Sequence, residues 1–268
     1  MLKVPYARLG GKTSLRKVIL PLIPKHKTYV EPFFGGGSIF WAKDPAERSV
    51  INDLDDSIVE LLRLMKKAST DVEDYDLSVL SDLTKANQFV KTNPTNTEQK
   101  LLKAITIQSG TFGGKGKGKI YKTKNIPRWI KTLPDWQEKL KSAKIYNQSY
   151  LPLLKAYDAK DTFFFLDPPY EGSKTDKIYK HGDFNFEEFA NKVKKLKGKV
   201  MITLNDSKNI RQLFKHWHIR GVVVRGESNV GAGSKDRKEV IITNYIHIKQ
   251  KHPSGKRIIG KFKTDRDD

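Results

Sequence analysis

Thr28-Tyr29-Val30-Glu31-Pro32-Phe33-Phe34-Gly35-Gly36-Gly37, running straight into Ser38-Ile39-Phe40-Trp41-Ala42, is the stretch on which the fold turns. Residues 28–34 read as a short apolar strand, and the apolar run after the glycines reads as the start of a helix. Glycine tolerates the backbone angles of a tight strand-to-helix turn and lets another molecule approach the backbone closely. Ser49-Val50-Ile51-Asn52-Asp53 then forms a second strand ending in an acid, and Ile58 to Ala68 (IVELLRLMKKA) has helical apolar spacing. A βαβ pattern is under way.

Further strand signals lie at Ala143–Tyr146, Thr162–Leu166, Lys199–Thr203, Gly221–Val224 and Val240–Asn244, with helical segments such as Phe186 to Leu196 (FEEFANKVKKL) among them. Strands alternating with helices predict a mostly parallel sheet. From about Tyr75 to Ile145 the pattern is polar and helical, then glycine- and lysine-rich from Ser109 to Asn125, and this reads as a separate insert. Residues 249–268 are basic and without period, a tail.

Composition narrows the function. The 268 residues are 37% hydrophobic, enough for one main core with a smaller appended unit. No run of eighteen apolar residues and no leader-like N-terminus is present, so a soluble, cytoplasmic protein with no membrane partner is expected. Cysteine is absent, which excludes disulfides, thiolate metal sites and a cysteine nucleophile. The 51 Lys and Arg against 30 Asp and Glu leave a formal charge of +21, the footprint of a protein that sits on a polyphosphate. A lysine-rich solvated surface would look the same, so the motifs must decide.

Asp167-Pro168-Pro169-Tyr170 directly follows the apolar run Phe163-Phe164-Phe165-Leu166 and therefore stands at the carboxyl end of a buried strand, where ligands of open α/β sheets bind. Two prolines make a rigid turn without backbone donors. The Asp167 carboxylate and the Pro168 carbonyl offer two acceptors for the two hydrogens of an exocyclic nucleobase amine. That nitrogen is a poor nucleophile until its lone pair is turned out of the ring. Tyr170 offers a face on which a flipped base could stack. The plainer alternative is a loop with an Asp-capped Pro-Pro turn.

The glycine turn gains weight from Asp53, sixteen residues after Gly37 at the end of the next strand, where an acid meets ribose hydroxyls in nucleotide-binding βαβ units. Gly11-Lys12-Thr13 does not make a phosphate-binding loop, because Tyr6 stands where the first glycine belongs and no strand precedes it. His216 and His218 would share a face if both lay on a strand, but no third ligand is recognisable; they read as a surface or partly packed pair, and no metal site is expected.

Taken in order, these motifs resemble the α-group of N6-adenine DNA methyltransferases, the Dam-like or D12 class, over most of Tyr6 to Tyr245. Gly10-Gly11-Lys12 is similar to the family's first cofactor segment, Glu31 to Gly37 to its glycine motif, and Asn52-Asp53 to its ribose-binding acid. Asp167 to Tyr170 resembles its catalytic tetrad. Asp183-Phe184 with the helix after it, Ile202 to Asp206, and Ser234 to Asn244 continue the match.

The resemblance implies a doubly wound, seven-stranded, mostly parallel Rossmann-like methyltransferase sheet with an antiparallel final strand near Val240–Asn244. It implies a catalytic domain at 1–60 and 145–248 and a mainly helical target-recognition insert at 61–144, carrying a β-hairpin around Gly113 to Tyr121. It implies S-adenosylmethionine as cofactor, held by Gly11, Lys12, Phe33, Phe34, Gly35, Gly37, Asp53 and Asp167, with either Tyr6 or Arg8 against it. Asp167, Pro168, Pro169 and Tyr170 would be catalytic.

Double-stranded DNA is the implied partner, met by Lys115, Lys117, Lys119, Tyr121, Lys122, Lys124, Asn125 and Arg128; glycine and lysine here suit phosphate contact more than base reading. A monomer is expected, either solitary or paired with a companion restriction endonuclease.

The expected reaction is direct in-line transfer to N6 of a flipped adenine. The missing cysteine argues independently against C5-cytosine methylation, which needs a thiolate. An RNA adenine methyltransferase would use the same slot. N4-cytosine enzymes tend to carry Ser in place of Asp167, and glutamine-modifying enzymes Asn. A non-catalytic DNA-binding protein keeping the fold is the alternative of another class.

Overall fold

The computed structural model describes residues 2–6, 11–111, 118–172, 184–224 and 236–246. In chain order the elements are α1 (Arg16–Ile19), β1 (Thr28–Glu31), α2 (Ser38–Ala42), β2 (Arg48–Asn52), α3 (Asp56–Lys67), α4 (Leu83–Phe89), α5 (Thr97–Gly110) and α6 (Ile126–Lys141). Then come β3 (Ala143–Tyr146), α7 (Tyr150–Ala156), β4 (Thr162–Leu166), α8 (Phe186–Val193), β5 (Lys199–Asn205), α9 (Lys208–Leu213), β6 (His218–Val224) and β7 (Arg237–Thr243). The strands form one seven-stranded sheet in the order β3-β2-β1-β4-β5-β7-β6. The expected mixed α/β, mostly parallel architecture is therefore present. Among the described residues no helix is long and apolar enough to cross a membrane.

The chain divides into two compact units, Met1–Arg16 with Phe34–Ser149 and Lys17–Phe33 with Tyr150–Asp268. In the first, β2 and β3 pair in parallel from Ser49 with Ala143 to Asn52 with Tyr146. Helix α3 starts where the Asp55 carboxylate accepts the Ser57 N–H at 3.1 Å, and buries Ile58, Val59, Leu61, Leu62 and Met65 along one stripe against α5 and α6. Each such side chain contributes about 1.5–3 kcal/mol by leaving water. In α6 the rings of Trp129 and Trp136 lie 4.9 Å apart, and the Trp136 indole donates to the Lys3 carbonyl at 2.8 Å, anchoring the N-terminal segment.

In the second unit β1 and β4 pair in parallel through Val30 and Phe164, and β4 and β5 in parallel through Leu166 and Ile202. All of β4 is buried, which is why it reads as an unbroken apolar run rather than an alternation. β7 is antiparallel to both β5 and β6, as the resemblance implies for the strand near Val240–Asn244, but it begins earlier, at Arg237.

Two strand boundaries differ from the sequence reading. β1 ends at Glu31 instead of running to Phe34, because Pro32 has no N–H to continue a ladder and the Phe34 N–H goes instead to the Asn52 carbonyl at 2.9 Å. β6 begins at His218, so His216 precedes the strand and does not share a strand face with it; Trp217 packs 5.6 Å from Phe214.

Most of the expected hairpin, residues 112–117, lies outside the described residues, and Gly118 to Tyr121 forms no strand. Ile120 is clasped instead by the Asn87 side chain, which accepts its N–H at 2.9 Å and donates to its carbonyl at 3.1 Å. The tail 249–268, Arg8, Gly10 and Asp183 also lie outside the described residues.

Candidate active site

The first unit holds the glycine turn. Gly35 and Gly37 have φ of 49° and 61°, left-handed values that side chains rarely adopt, and the Gly37 N–H closes the turn on the Phe34 carbonyl at 2.6 Å. A Cβ on Gly37 would fall 2.2 Å from the Phe34 ring, so that position admits only glycine; a Cβ on Gly35 would meet nothing within 4 Å. The turn is thus packed from below at Gly37 and open at Gly35. Phe34 itself is buried and makes edge contacts with Phe40 and Trp41 at 5.7 and 6.0 Å, so its ring supports the turn.

Asp53 joins this turn to the end of β2. Its Oδ2 accepts the Gly35 N–H at 2.6 Å and its Oδ1 the Asp55 N–H at 2.9 Å, while its own carbonyl accepts from Asn147 at 2.9 Å. Tyr6 reaches the same turn: it is 3% exposed and its hydroxyl donates to the Gly35 carbonyl at 2.9 Å. Of the two residues left open by the sequence, Tyr6 is the one at the glycine turn in the described residues. Gly11 is exposed, and Lys12, beside it, is buried on a short 3-10 turn (Lys12–Leu15) whose Thr13 hydroxyl lies 3.3 Å from that of Ser38. The structure therefore brings Tyr6, Gly35, Gly37 and Asp53 into one hydrogen-bonded group.

The second unit holds the proline corner. The sheet order reverses direction at β1 and β4, and ligands of open α/β sheets bind beyond the carboxyl ends of the strands at such a point. Three residues past the Val30–Phe164 pair the two chains reach Phe33 and Asp167. Thr203, fully buried on β5, donates to Asp167 Oδ1 at 2.7 Å. Glu239, buried on β7, accepts the Tyr170 hydroxyl at 2.7 Å.

The residue after the corner is held too: the Glu171 N–H donates to Asn205 at 3.0 Å, and its carboxylate accepts from Ser207 and Asn209 at 2.5 and 2.6 Å. Burial, then the adjacent Asp167 and Glu239 carboxylates, keep the Tyr170 hydroxyl well above its ordinary value, so it stays a neutral donor. Burial, with Glu31 and Asp167 next, does the same for Tyr29, whose hydroxyl donates to Glu31 at 2.7 Å. Pro168 is buried, and Phe33 lies among Tyr150, Phe184 and Phe189 at 5.1, 5.9 and 6.2 Å.

The basic run proposed for DNA is exposed where described: Lys119, Tyr121, Lys122, Lys124, Asn125 and Arg128, leading into α6. Lys115 and Lys117 lie outside the described residues. Sequence reasoning missed the bracing residues Thr203 and Glu239. Glu239 follows Arg237 and Lys238 in the charged start of β7 and reads as one more surface residue, and nothing in a run such as Met201-Ile202-Thr203-Leu204 marks the threonine.

Comparison with known proteins bears on this arrangement. The chain is 26% identical over 221 residues to the type II methyltransferase M.CviBI of Paramecium bursaria Chlorella virus NC1A, covering 76% of this chain and 84% of that protein. It is 23% identical over 267 residues to the type II methyltransferase M1.LlaDCHI of Lactococcus lactis subsp. cremoris, covering 88% and 93%. A DNA N-6-adenine-methyltransferase of Escherichia phage P1 matches at 24% over 76% of this chain but only 30% of its own length. Among solved structures, a precorrin-6y C5,15-methyltransferase from Geobacter metallireducens GS-15 aligns at 10% identity over 90% of this chain and 92% of that one, with a TM-score of 0.40.

The model of the D12 class N6 adenine-specific DNA methyltransferases matches residues 9–226 of the 268, a span that takes in both the glycine turn and the proline corner. The chain belongs to the D12 class N6 adenine-specific DNA methyltransferase family.

Proposed function

We propose that the glycine-turn group of the first unit holds S-adenosylmethionine and that the proline corner of the second unit presents N6 of an adenine flipped out of duplex DNA. The observation that carries this reading is the bracing of the corner, with Thr203 on Asp167 and Glu239 on Tyr170. Side chains held this way keep their geometry without reorganisation, which is what orienting a weak nucleophile requires.

The residues fit the donor. The face over Gly35 is open, and the absence of a side chain there leaves the backbone accessible to a ligand. Asp53, held at the end of β2 against the Gly35 and Asp55 N–H groups, is the acid placed beside the turn to meet a ribose hydroxyl. When bound, S-adenosylmethionine supplies an electrophilic methyl group. Asp167 and the Pro168 carbonyl take the two amine hydrogens, turning the lone pair outward, and Tyr170 stacks on the base. Asp167 is also the carboxylate at hand for the proton N6 sheds as its new bond forms.

Residues 61–144 serve as the target-recognition insert in this reading, and the exposed lysines of 119–128 meet phosphates. The names of the two type II methyltransferase relatives support a companion restriction endonuclease; action as a monomer is part of the same proposal.

Transfer of a labelled methyl group from S-adenosylmethionine to matched duplex DNA and RNA tests the proposal, together with sequencing of modified bases in the DNA of expressing cells. Label on N6 of adenine within one short duplex sequence is expected. Label confined to RNA or to cytosine would refute it.

A further inference from the structure

Residues 12, 15, 16 and 19 are the buried positions of the helical run that opens the chain, and two of the four are cations, Lys12 and Arg16. An apolar stripe is the rule at such positions, so a buried guanidinium there needs a reason. Arg16 is 7% exposed. Its Nε donates to the Ser38 carbonyl at 2.7 Å, which fixes the plane of the fork at the residue following Gly37. Its Nη2 is fully buried and has no hydrogen-bond partner, and among the described residues no Asp or Glu pairs with it. Burial accordingly lowers its pKa.

A buried, unpaired charge is among the most unfavourable things a fold can contain, and native proteins keep one where a ligand completes it. Ser38 directly follows the glycine turn, and its hydroxyl faces Thr13 on the same helical run. The guanidinium that carries the unsatisfied donor is therefore anchored next to the group of residues assigned above to the methyl donor. That molecule carries, beyond its nucleoside, an amino-acid carboxylate, and a planar fork of N–H donors matches a carboxylate better than any other cation does. Ribose and base would use Asp53 and the open glycine; neither offers an anion.

We propose that Arg16 is the residue that binds the α-carboxylate of the donor's amino-acid part, an inference that rests on the donor-binding reading above. Arg16 then discriminates the intact donor and its amino-acid-bearing product from nucleoside fragments that lack the carboxylate. The Arg16→Met change fills much of the same space without the charge, so the donor-free protein should lose no thermal stability from it.

Calorimetric titration of the full chain with S-adenosylhomocysteine and with 5′-methylthioadenosine, which lacks the amino acid, separates the possibilities. Arg16→Met should weaken S-adenosylhomocysteine at least tenfold and leave 5′-methylthioadenosine unchanged, with Arg16→Lys recovering part of the loss. Its thermal midpoint without ligand should stay level or rise. Equal loss for both ligands, or a fall in the ligand-free midpoint with no selective loss, would make Arg16 a structural residue and overturn the proposal. Loss of duplex affinity with S-adenosylhomocysteine binding intact would assign the cation to a DNA phosphate and overturn it too. If the unaltered protein binds neither small molecule, the donor reading itself fails, and this proposal with it.

Discussion

The glycine turn at 35–37 and the proline corner at 167–170 both follow parallel strands, yet they are built on opposite principles. At the turn the chain gives up side chains so that backbone can bend into left-handed angles, and the few contacts that hold it run to backbone atoms: Asp53 on the Gly35 N–H, Tyr6 on the Gly35 carbonyl. At the corner the chain gives up backbone freedom, and the two side chains proposed to meet the base are each tied to another side chain, Asp167 to Thr203 and Tyr170 to Glu239. A turn of the first kind suits binding, where close approach matters. A corner of the second kind suits orientation of reacting groups, where a small displacement costs rate.

If the contrast is real, changes at the turn should act on donor affinity and changes at the corner on turnover. The largest effect belongs to Asp167→Ala, expected to lower kcat by about a thousandfold, at the upper end of losses for removing one preorganised polar group. Duplex affinity, measured by gel shift, should be retained. A mutant with normal turnover would break the comparison at its strongest point.

Gly37→Ala combines a left-handed φ with a clash against the Phe34 ring, and should destabilise the protein by about 2–3 kcal/mol as well as weaken donor binding. Gly35→Ala has the same backbone strain without the clash and should cost about 1 kcal/mol. Denaturant titration of the pair sharpens the distinction between packing and strain.

Smaller still is the brace. Thr203→Val removes the donor to Asp167 at nearly constant volume and should lower kcat roughly fivefold to tenfold, the equivalent of about 1 kcal/mol, with the KM for donor unchanged. A shift in donor KM instead would show that the corner is not mechanically separate in the way described.

The smallest and broadest effect is alkaline. Tyr170, Tyr29 and Tyr245 have hydroxyls raised above the ordinary value chiefly by burial, and burial, then Glu188, pushes Tyr150 to about 12. The folded state therefore favours the neutral phenols, a contribution fully present below about pH 10 and lost progressively above it as the unfolded chain ionises first. Unfolding free energy should be flat with respect to these groups up to that point and decline beyond it.

Much of the architecture was legible because it is local. The continuous apolar run of β4, the glycine run after β1, and the helical spacing of α3 are properties of neighbouring residues, and each predicts its element before any contact is known. Asp53 and the run 167–170 were legible as candidates for the same reason, since each is marked by its immediate neighbours in the sequence. Strand ends were less legible. Pro32 stops β1 early, and β6 and β7 extend beyond their apolar cores because pairing with a neighbour, not hydrophobicity, decides where a ladder ends.

What only the tertiary structure decided are the contacts made across long stretches of chain. Thr203 meets Asp167 from 36 residues away and Glu239 meets Tyr170 from 69, and neither residue carries a sign of its partner in its own neighbourhood. Arg16 reads as one more basic residue in a chain of net charge +21 until its burial and its unsatisfied Nη2 are known. Periodicity and turn chemistry are written in sequence because they depend on short-range sterics and on water. Which side chain completes another's hydrogen bonds depends on where the sheet brings distant strands together, and that is set only when the whole sheet is formed.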